Sequence, residues 1–411
     1  MNVLFLGNGF DLFHKLPTKY INFLNTVDFL ASQDVSVIST IGDVFSHEIL
    51  NSRDHEIQES YRLYKEIYDN TPIDTTNLSQ LKDLSNNLWL KYFSISLKFD
   101  VKWIDFEKQI FTVIQSFQKL LDLPKTRNVD LRKLDVASAY IIRQFDFFLD
   151  PTNDKVLPPG ARPIKPEYLI ETPVGSKNEF IDEAKIVKEL SRQLSEFAEA
   201  LKIYLKCFVE KMVEKIPETQ ELQWKQAFQH TDFVITFNYT NTYELLYKNS
   251  EVVHIHGNVN TKIVLGVNPD GADVIETVDT TFVPFKKYFQ RIKYKTDIQY
   301  LDFIQRNKND SDFVLYIIGH SLDSTDKDII QEAFSVAKKI FIFSYDENDE
   351  SNHISNLVSF FGKSDFDVMR REKDISFMLI SDELEGIMKK YSKEEKNRQW
   401  RDAVSMIRNG F

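Results

Sequence analysis

Four short stretches of the chain place polar or titratable residues, in three cases beside glycine, directly after an apolar run. They are "LGNGFD" at 6–11, "TFNYT" at 236–240, "HIHG" at 254–257 and "IGHSL" at 318–322. Asparagine, histidine, serine and glycine at such points can bind ribose or phosphate and can move a proton. These four stretches are therefore the candidate functional site.

The first stretch is a glycine turn at the end of an apolar strand. Gly7 and Gly9 stand where the strand ends and a helix should begin. Glycine allows the backbone to approach a phosphate closely, and the N-terminus of the helix attracts its charge. The third glycine of a dinucleotide fingerprint is missing. An ordinary strand-to-helix turn is the alternative interpretation.

The next two stretches supply candidate catalytic side chains. Asn238 follows a predicted strand, where open α/β sheets bind ligands, although it is equally a candidate cap for the next helix. His254 and His256 lie two apart on a predicted strand and are expected to share a face. A histidine at a strand end is a candidate general base, with a structural role as the alternative. The chain has no HExxH pattern and no evident third ligand, so zinc is not expected.

Two further motifs are more ambiguous. Gly319 and Ser321 are placed to bracket a ribose or phosphate, or simply to form a turn. In "WIDFEKQI", Trp103 and Glu107 share a helix face whereas Asp105 does not. This charged segment is expected either to face solvent or to help close a pocket.

An α/β sheet is needed to position these residues. Strands are predicted at "NVLFL" near the start and, after Pro217, at "DFVITF", "VVHIHG", "KIVLGV", "DFVLYIIG" and "KKIFIFS", with "DISFMLI" as an edge strand. The region between is mostly helical, and its Pro-rich stretch, "LPPGARPIKPEYLIETPVG", predicts a loop or extended chain. One long helix carries a stripe that should face the core rather than a coiled-coil partner: Val187, Leu190, Leu194, Phe197, Leu201, Tyr204 and Phe208.

The predicted organisation is a discontinuous core, 1–30 and 231–385, with a helical insertion at 31–230 and a helical tail at 386–411. The net charge of -11 argues against a broad nucleic-acid surface. One cysteine, Cys207, excludes internal disulfides and a zinc site built on several cysteines. We see neither a signal peptide nor a membrane-spanning stretch, so we expect a cytoplasmic protein.

Taken together and in order, the motifs resemble those of the sirtuin (SIR2) fold. The series is Gly-x-Gly with Pro17, then Thr236-x-Asn238, His256-Gly257 and Gly319-x-Ser321-Leu322. Longer stretches resemble the AbiH family, a bacterial abortive-infection family of the SIR2-like group that acts against phages. They are "GNGFDLFHKLPTKYINFL", "WIDFE", "FNYTNTYELLY", "HIHG" and "GHSLDSTD".

This resemblance implies a Rossmann-like parallel sheet of SIR2 type and an enzyme that hydrolyses NAD to nicotinamide and ADP-ribose, without a metal. Asn238 would position the water or the ribose, and His256 would accept a proton. Asp11 would be an electrostatic partner for the charge that develops on the ribose. The implied NAD-binding residues are Gly7, Asn8, Gly9, Phe10, Asp11, His14, Pro17, Thr18, Thr236, Tyr239, Gly257, Gly319, His320, Ser321 and Leu322.

The chain departs from the sirtuin pattern in three ways. Thr240 replaces an aspartate, Tyr20 replaces an arginine, and a four-cysteine zinc module cannot form. A protein-deacetylase function is therefore less well supported. The alternatives are an NAD-dependent transferase of ADP-ribosyl or acyl groups, a non-catalytic sensor of NAD or ADP-ribose that controls a partner, and a scaffold. An NAD-consuming enzyme needs restraint, from the insertion, a homo-oligomer or a regulatory protein.

Overall fold

The fold is built around a parallel sheet that joins the start of the chain to its last third. The computed structural model describes residues 1–51, 55–97, 106–149, 160–171, 179–219, 222, 224–248, 250–268, 280–308, 312–380 and 383–408. Its strands are β1 Asn2–Leu6, β2 Asn128–Asp130, β3 Ala161–Pro163, β4 Phe233–Thr236, β5 Glu251–His254, β6 Val314–Ile318, β7 Lys339–Ser344 and β8 Ile375–Leu379.

Six of these strands form the main sheet, in the order β5-β4-β1-β6-β7-β8, and every pairing is parallel. Counted along the chain, this is the order 3-2-1-4-5-6 of a Rossmann-like sheet. Leu4 pairs with Val234 on one side and with Tyr316 on the other. The order reverses at β1, and this switch point is where sheets of this kind bind ligands.

The strands are apolar on both faces because both faces are covered. Val3 and Phe5 of β1 join one hydrophobic cluster, whereas Leu4 and Leu6 join another. Since successive side chains of a strand point to opposite faces, the two clusters lie on opposite sides of the sheet. All five residues of β1 are buried.

Short helices follow the strands and supply the covering layers. The first helix and the helices from residue 225 onward are α1 Asn8–Phe13, α12 Lys225–Phe228, α13 Thr242–Leu246, α14 Lys287–Tyr294, α15 Ile298–Asn307, α16 Lys327–Val336, α17 Glu347–Phe361, α18 Lys363–Lys373, α19 Glu383–Lys390 and α20 Lys393–Arg408. The cluster on the side of Leu4 includes residues of α1, α12, α13 and α19. The cluster on the side of Val3 includes residues of α15, α16, α17 and α18.

The stretch between β1 and β4 is mostly helical and has a large hydrophobic core of its own. Its helices are α2 Tyr20–Ser32, α3 Ile41–Asn51, α4 His55–Asn70, α5 Thr75–Leu84, α6 Leu88–Leu97, α7 Phe106–Leu121, α8 Val136–Gln144, α9 Glu183–Tyr204, α10 Lys211–Val213 and α11 Ile216–Thr219. The predicted apolar stripe is buried along its whole length, which confirms the core-facing interpretation.

The end of α9 departs from regular helix geometry. A π-helical segment, Leu205–Glu210, continues the helix after Tyr204. Such segments are rare and are frequent beside functional sites. Within this segment, Oε1 of Glu210 accepts a hydrogen bond from the backbone N–H of Asn241, in the loop after β4, at 2.8 Å.

One predicted strand was wrong. "KIVLGV" is buried, but it runs as extended chain outside the sheet: Val264 donates to the carbonyl of His256, and Val267 to that of Phe285. An apolar run indicates burial, and burial alone does not decide pairing. The edge strand at "DISFMLI" is confirmed as β8. The described part of the Pro-rich stretch contains β3, paired with β2.

The division of the chain into core, insertion and tail stays a prediction. Trp103 and Asp105 lie outside the described residues. In the part of the chain that is described, no helix is both long and apolar enough to cross a bilayer.

Candidate functional site

A pocket of about 480 Å³ opens at the carboxyl edge of the sheet, around the switch point. This volume is typical of small-molecule sites, which span roughly 300–1,000 Å³. Residues after five of the six strands line it: Gly7, Asn8, Gly9, Asp11 and Leu12 after β1; Phe237, Asn238, Tyr239 and Thr240 after β4; His256 after β5; Gly319, His320, Ser321, Asp323, Thr325 and Asp326 after β6; Tyr345, Asp349 and His353 after β7.

The helical region forms the opposite wall, with Thr18, Lys19, Tyr20, Ile21, Glu107, Leu201 and Leu205. Leu205 begins the π-helical segment. The pocket is therefore enclosed by two parts of the chain, the carboxyl edge of the sheet and the helices inserted between β1 and β4.

Gly7, Gly9 and Gly319 pack backbone against backbone on the floor of the pocket. The N–H of Gly9 donates to the carbonyl of Gly319 at 2.8 Å. A Cβ at Gly319, whose φ is +67°, would lie 2.2 Å from the nitrogen of Phe10, and one at Gly7 would lie 2.5 Å from the oxygen of Gly319. The contact between the two turns accounts for these glycines without any ligand, and it brings the first and last motifs together.

Asp11 is a buried carboxylate in the pocket wall. Its Oδ2 accepts a hydrogen bond from the hydroxyl of Thr240 at 2.6 Å, and Thr242 donates to the Thr240 oxygen at 3.1 Å. Burial raises the pKa of Asp11 from 3.8 to about 6, and the hydrogen bond from Thr240 opposes this rise. Asp11 is thus poised to change its charge near neutral pH.

Asn238 is held by its backbone and leaves its side chain to the pocket. Its N–H donates to Oγ1 of Thr236 at 3.1 Å, and its carbonyl lies 3.0 Å from Nδ1 of His254. The next helix, α13, is capped by Asn241 rather than Asn238, so the capping interpretation was wrong. Among the described residues, Oδ1 of Asn238 and Oδ1 of Asp11 are buried without a hydrogen-bond partner.

The two histidines of "HIHG" have different environments. β5 ends at His254, whose Nε2 lies 2.7 Å from Glu244, whereas His256 lines the pocket. Nε2 of His256 is 3.0 Å from Oδ1 of Asp326, but the angle at this contact does not suit a hydrogen bond. No other described residue forms a hydrogen bond with Nε2. Burial lowers the pKa of His256 to about 4, although Asp326 opposes the change, so the ring is neutral at pH 7.

Asp326 also binds a buried lysine. Nζ of Lys287 is 2.9 Å from Oδ1 of Asp326 and 2.6 Å from Oε1 of Glu107, and the lysine side chain is fully buried. Burial alone would raise the pKa of Asp326, but Lys287 and His256 hold it well below its usual range. The two carboxylates likewise raise the pKa of Lys287 against the effect of burial. Asp326 and Lys287 are therefore both ionised.

Two more histidines complete the floor. Nδ1 of His320 accepts from the N–H of Leu322 at 2.9 Å, and its Nε2 lies 3.7 Å from Oδ2 of Asp326. Nε2 of His353 donates to the carbonyl of His320, while the hydroxyl of Ser344 faces its Nδ1. His353 therefore fixes the loop that carries His320.

The structure brings most of the predicted residues together. The lining includes both candidate catalytic residues and nine of the expected ligand-binding residues, namely Gly7, Asn8, Gly9, Asp11, Thr18, Tyr239, Gly319, His320 and Ser321. The other six do not line it: Phe10, His14, Pro17, Thr236, Gly257 and Leu322.

Four of these six residues have other contacts that explain their types. Phe10 packs among the aromatic residues behind α1, and Leu322 lies in the core. Both nitrogens of His14 are bonded, to the carbonyl of Phe10 and to the hydroxyl of Tyr247. Gly257 has a φ of +70°, and a Cβ there would lie 2.0 Å from the oxygen of Lys262.

The sequence did not predict that Asp326 and Lys287 belong to the site, or that Glu107 contacts Lys287. Asp326 is the final residue of "GHSLDSTD", so its position beside a recognised motif was a usable signal. Lys287 lies in "KKYFQRIKY", which has the composition of an exposed helix. Nothing local to that segment indicates that one of its lysines is fully buried.

The arrangement suits chemistry at a centre that becomes positively charged. Five carboxylates line the pocket, those of Asp11, Glu107, Asp323, Asp326 and Asp349. In the described lining, Lys19 contributes the one positive side chain, and it is paired with Glu56. A neutral imidazole and an amide oxygen stand among these carboxylates. Together they can orient a water molecule, accept its proton and stabilise a cation.

A protein-family model matches most of the chain. Residues 3–345 fit the family model described as "Bacteriophage abortive infection AbiH". The matched range begins within β1 and ends just after β7, so it includes every strand whose end lines the pocket. No curated protein matches the chain.

Proposed function

This chain belongs to the bacteriophage abortive infection AbiH family, and from that premise we propose that its pocket hydrolyses NAD to nicotinamide and ADP-ribose. Family membership gives the chain a role in abortive infection. The resemblance of its motifs to those of the SIR2 fold supports NAD as the substrate. Loss of NAD would stop the metabolism of an infected cell.

The observation that carries the proposal is the grouping of buried, unpartnered polar atoms at the switch point. They are Oδ1 of Asp11, Oδ1 of Asn238 and Nε2 of His256, which meet no hydrogen-bond partner in the described residues. Buried polar groups are nearly always satisfied, and exceptions mark sites that a ligand or water completes. All three side chains line one pocket.

The reaction breaks the bond between C1′ of the ribose and the nicotinamide nitrogen. The bonding electron pair leaves with nicotinamide, which departs as a neutral molecule, and positive charge builds on the ribose. A water oxygen then bonds to C1′ and its proton passes to His256. The carboxylate of Asp11 stabilises the developing charge, replacing the aspartate that the SIR2 pattern has at the position of Thr240.

The neutral ring of His256 suits a base that acts at pH 7. Its pKa near 4 leaves the imidazole unprotonated, and Asp326 beside Nε2 stabilises the imidazolium once it forms. Oδ1 of Asn238 is placed to accept a hydrogen bond from the attacking water or a ribose hydroxyl. The acidic lining repels the diphosphate of NAD, so we expect a high KM that falls as salt screens the repulsion.

The test is nicotinamide release from NAD by the purified protein, alone and in extract from phage-infected cells. We expect wild type to release nicotinamide without any acceptor, and His256→Ala and Asn238→Ala to lose about a hundredfold or more. His230→Ala is the matched control, because this histidine precedes β4 and lies at the opposite edge of the sheet.

Three results would overturn the proposal. The first is wild-type protein that releases no nicotinamide in either preparation. The second is release that requires an acceptor molecule, which would favour the transferase. The third is NAD or ADP-ribose that binds and stays intact, which would favour the sensor.

A further inference from the structure

Four charged or titratable side chains form a continuous chain of contacts from the helical wall to the candidate base. Glu107 of α7 contacts Lys287 of α14, Lys287 contacts Asp326, and Asp326 lies 3.0 Å from His256. We call these four residues the ion chain. Its members come from four segments that are distant in sequence, and its centre, Lys287, is fully buried.

We propose that Lys287 is a positioning residue, which holds the Asp326 carboxylate beside the ring of His256 and, by opposing the charge of that carboxylate, keeps the ring unprotonated in its working form. This inference rests on the proposed function for its catalytic meaning. Lys287 does not line the pocket and so does not touch the substrate. Its effect on the reaction passes through Asp326.

The geometry requires a cation at this point. Oδ1 of Asp326 accepts a hydrogen bond from Nζ of Lys287 at 2.9 Å and lies 3.0 Å from Nε2 of His256, so one oxygen contacts both groups. A buried carboxylate without a positive partner becomes protonated or moves towards solvent. Without Lys287, the charge that can replace the ammonium beside Oδ1 is a proton on the His256 ring, so the ring should keep a proton to a higher pH. A structural ion pair elsewhere in the core would not have this consequence.

The charges around His256 determine the direction of the expected change. The groups that face it or its neighbour Asp326 are Glu107 on α7, Tyr239 after β4, Lys287 and Arg291 on α14, His320 after β6, and Asp326 itself. The positive charge of Lys287 disfavours a proton on His256, whereas the negative charge of Asp326 favours one. Replacing Lys287 by a neutral residue removes the largest charge that opposes Asp326.

The experiment is Lys287→Met, measured by exchange of the histidine C2 proton against pH, which reports the titration of each histidine separately. We expect the titration of His256 to move upward by about one pH unit or more. In NAD turnover, the acid limb of kcat should move in the same direction. With a shift of one unit from about 4, the rate should fall about fivefold at pH 4 and match wild type towards pH 8, with KM within about twofold of wild type.

Arg291→Met is the matched control. Arg291 is a buried cation one turn further along α14, but its carboxylate partner is Asp328, which does not line the pocket. Its loss should move the titration of His256 by much less than the loss of Lys287. Equal shifts of the His256 titration in the two variants would overturn the inference. They would mean that any buried cation of α14 has this effect on His256, whether or not it contacts Asp326.

A double variant protects the test against misfolding. Glu107→Gln with Lys287→Met removes both charges of one pair and leaves Asp326 beside His256, so it should show the same upward shift. A titration of His256 that stays at its wild-type position in both variants overturns the inference, whatever the rate of NAD turnover. A shifted titration in a protein without NAD turnover upholds the contacts and overturns the proposed function instead.

Discussion

The hydroxyl of Thr240 donates to Oδ2 of Asp11 at 2.6 Å, across 229 residues of sequence. This bond joins the turn after β1 to the turn after β4 and fixes a carboxylate in the pocket wall. The same burial that puts Asp11 in the wall makes its ionised form costly. Stability and the proposed chemistry therefore make opposite demands on this residue.

Asp11→Asn should stabilise the protein at neutral pH. The pKa of Asp11 is about 6 in the folded protein and near 3.8 when unfolded, so the native state binds its proton more tightly. Wild type loses this contribution as pH rises from about 4 to 6, by at most about 3 kcal/mol. Urea unfolding should find the variant more stable at pH 8 and similar to wild type at pH 4.

The exposed carboxyl of Asp28 supplies the control for this measurement. Asp28→Asn, a change on the surface, should alter stability by less than about 0.5 kcal/mol at either pH. If Asp11→Asn were less stable than wild type at pH 8, the hydrogen bond from Thr240 would be worth more than the cost of burying the charge. At the same pH we expect its NAD turnover to be lower than that of wild type.

Gly319→Ala should be severely destabilising, by about 3 kcal/mol or more, because it combines a left-handed φ with a clash against the backbone of Phe10. Gly386→Ala should have the opposite effect. Gly386 lies in α19, where a methyl group meets no described atom within 4 Å, so the change should stabilise by roughly 0.5–1 kcal/mol. Urea unfolding of both variants, side by side, checks the backbone contact.

Tyr204→Phe should loosen the segment that carries the helical wall of the pocket. The buried hydroxyl of Tyr204 donates to the carbonyl of Pro17 at 2.7 Å, and that of Tyr64 donates to the carbonyl of His14 at 2.8 Å. Without its donor, the Pro17 carbonyl is left unsatisfied, at a cost of about 1–3 kcal/mol. Unfolding by urea measures the loss, and Tyr64→Phe should give a similar value.

The control for this pair is Tyr61→Phe. Its hydroxyl reaches an exposed carboxylate of Asp69 at 3.3 Å, so removal should change stability by less than about 0.5 kcal/mol. A loss as large as that of Tyr204→Phe would mean that the ring environment, rather than the bond to Pro17, decides the effect.

Much of the sheet could be predicted from the sequence, because a strand covered on both faces must be apolar throughout. β1, β6 and β7 satisfy this condition. "KIVLGV" satisfies it too, yet its backbone partner, Phe285, comes about twenty residues later and lies outside the sheet. Hydrophobicity predicts that a segment is buried, whereas its hydrogen-bonding partner is decided by the rest of the chain.

The site divides in the same way. Asn238 and His256 could be predicted because each follows an apolar strand, which places it at the carboxyl edge. Lys287 could not, because nothing in its own segment distinguishes it from Lys286 or Lys293. Its burial depends on its ion pairs with Glu107 and Asp326, which lie in other segments of the chain. The local sequence pattern predicts where the strands end. Contacts between distant segments decide which charged side chains are buried next to those ends.

The central position of β1 has a consequence for the making of the protein. Its two neighbours, β4 and β6, begin at Phe233 and Val314. At roughly 5–20 residues per second, a ribosome needs at least about ten seconds after β1 to supply the first of them. Until then the strand has nothing to pair with and the pocket has no floor. A chain cut short before Val314 therefore lacks part of the pocket floor, and the pocket can be complete only once the residues up to His353 have been made.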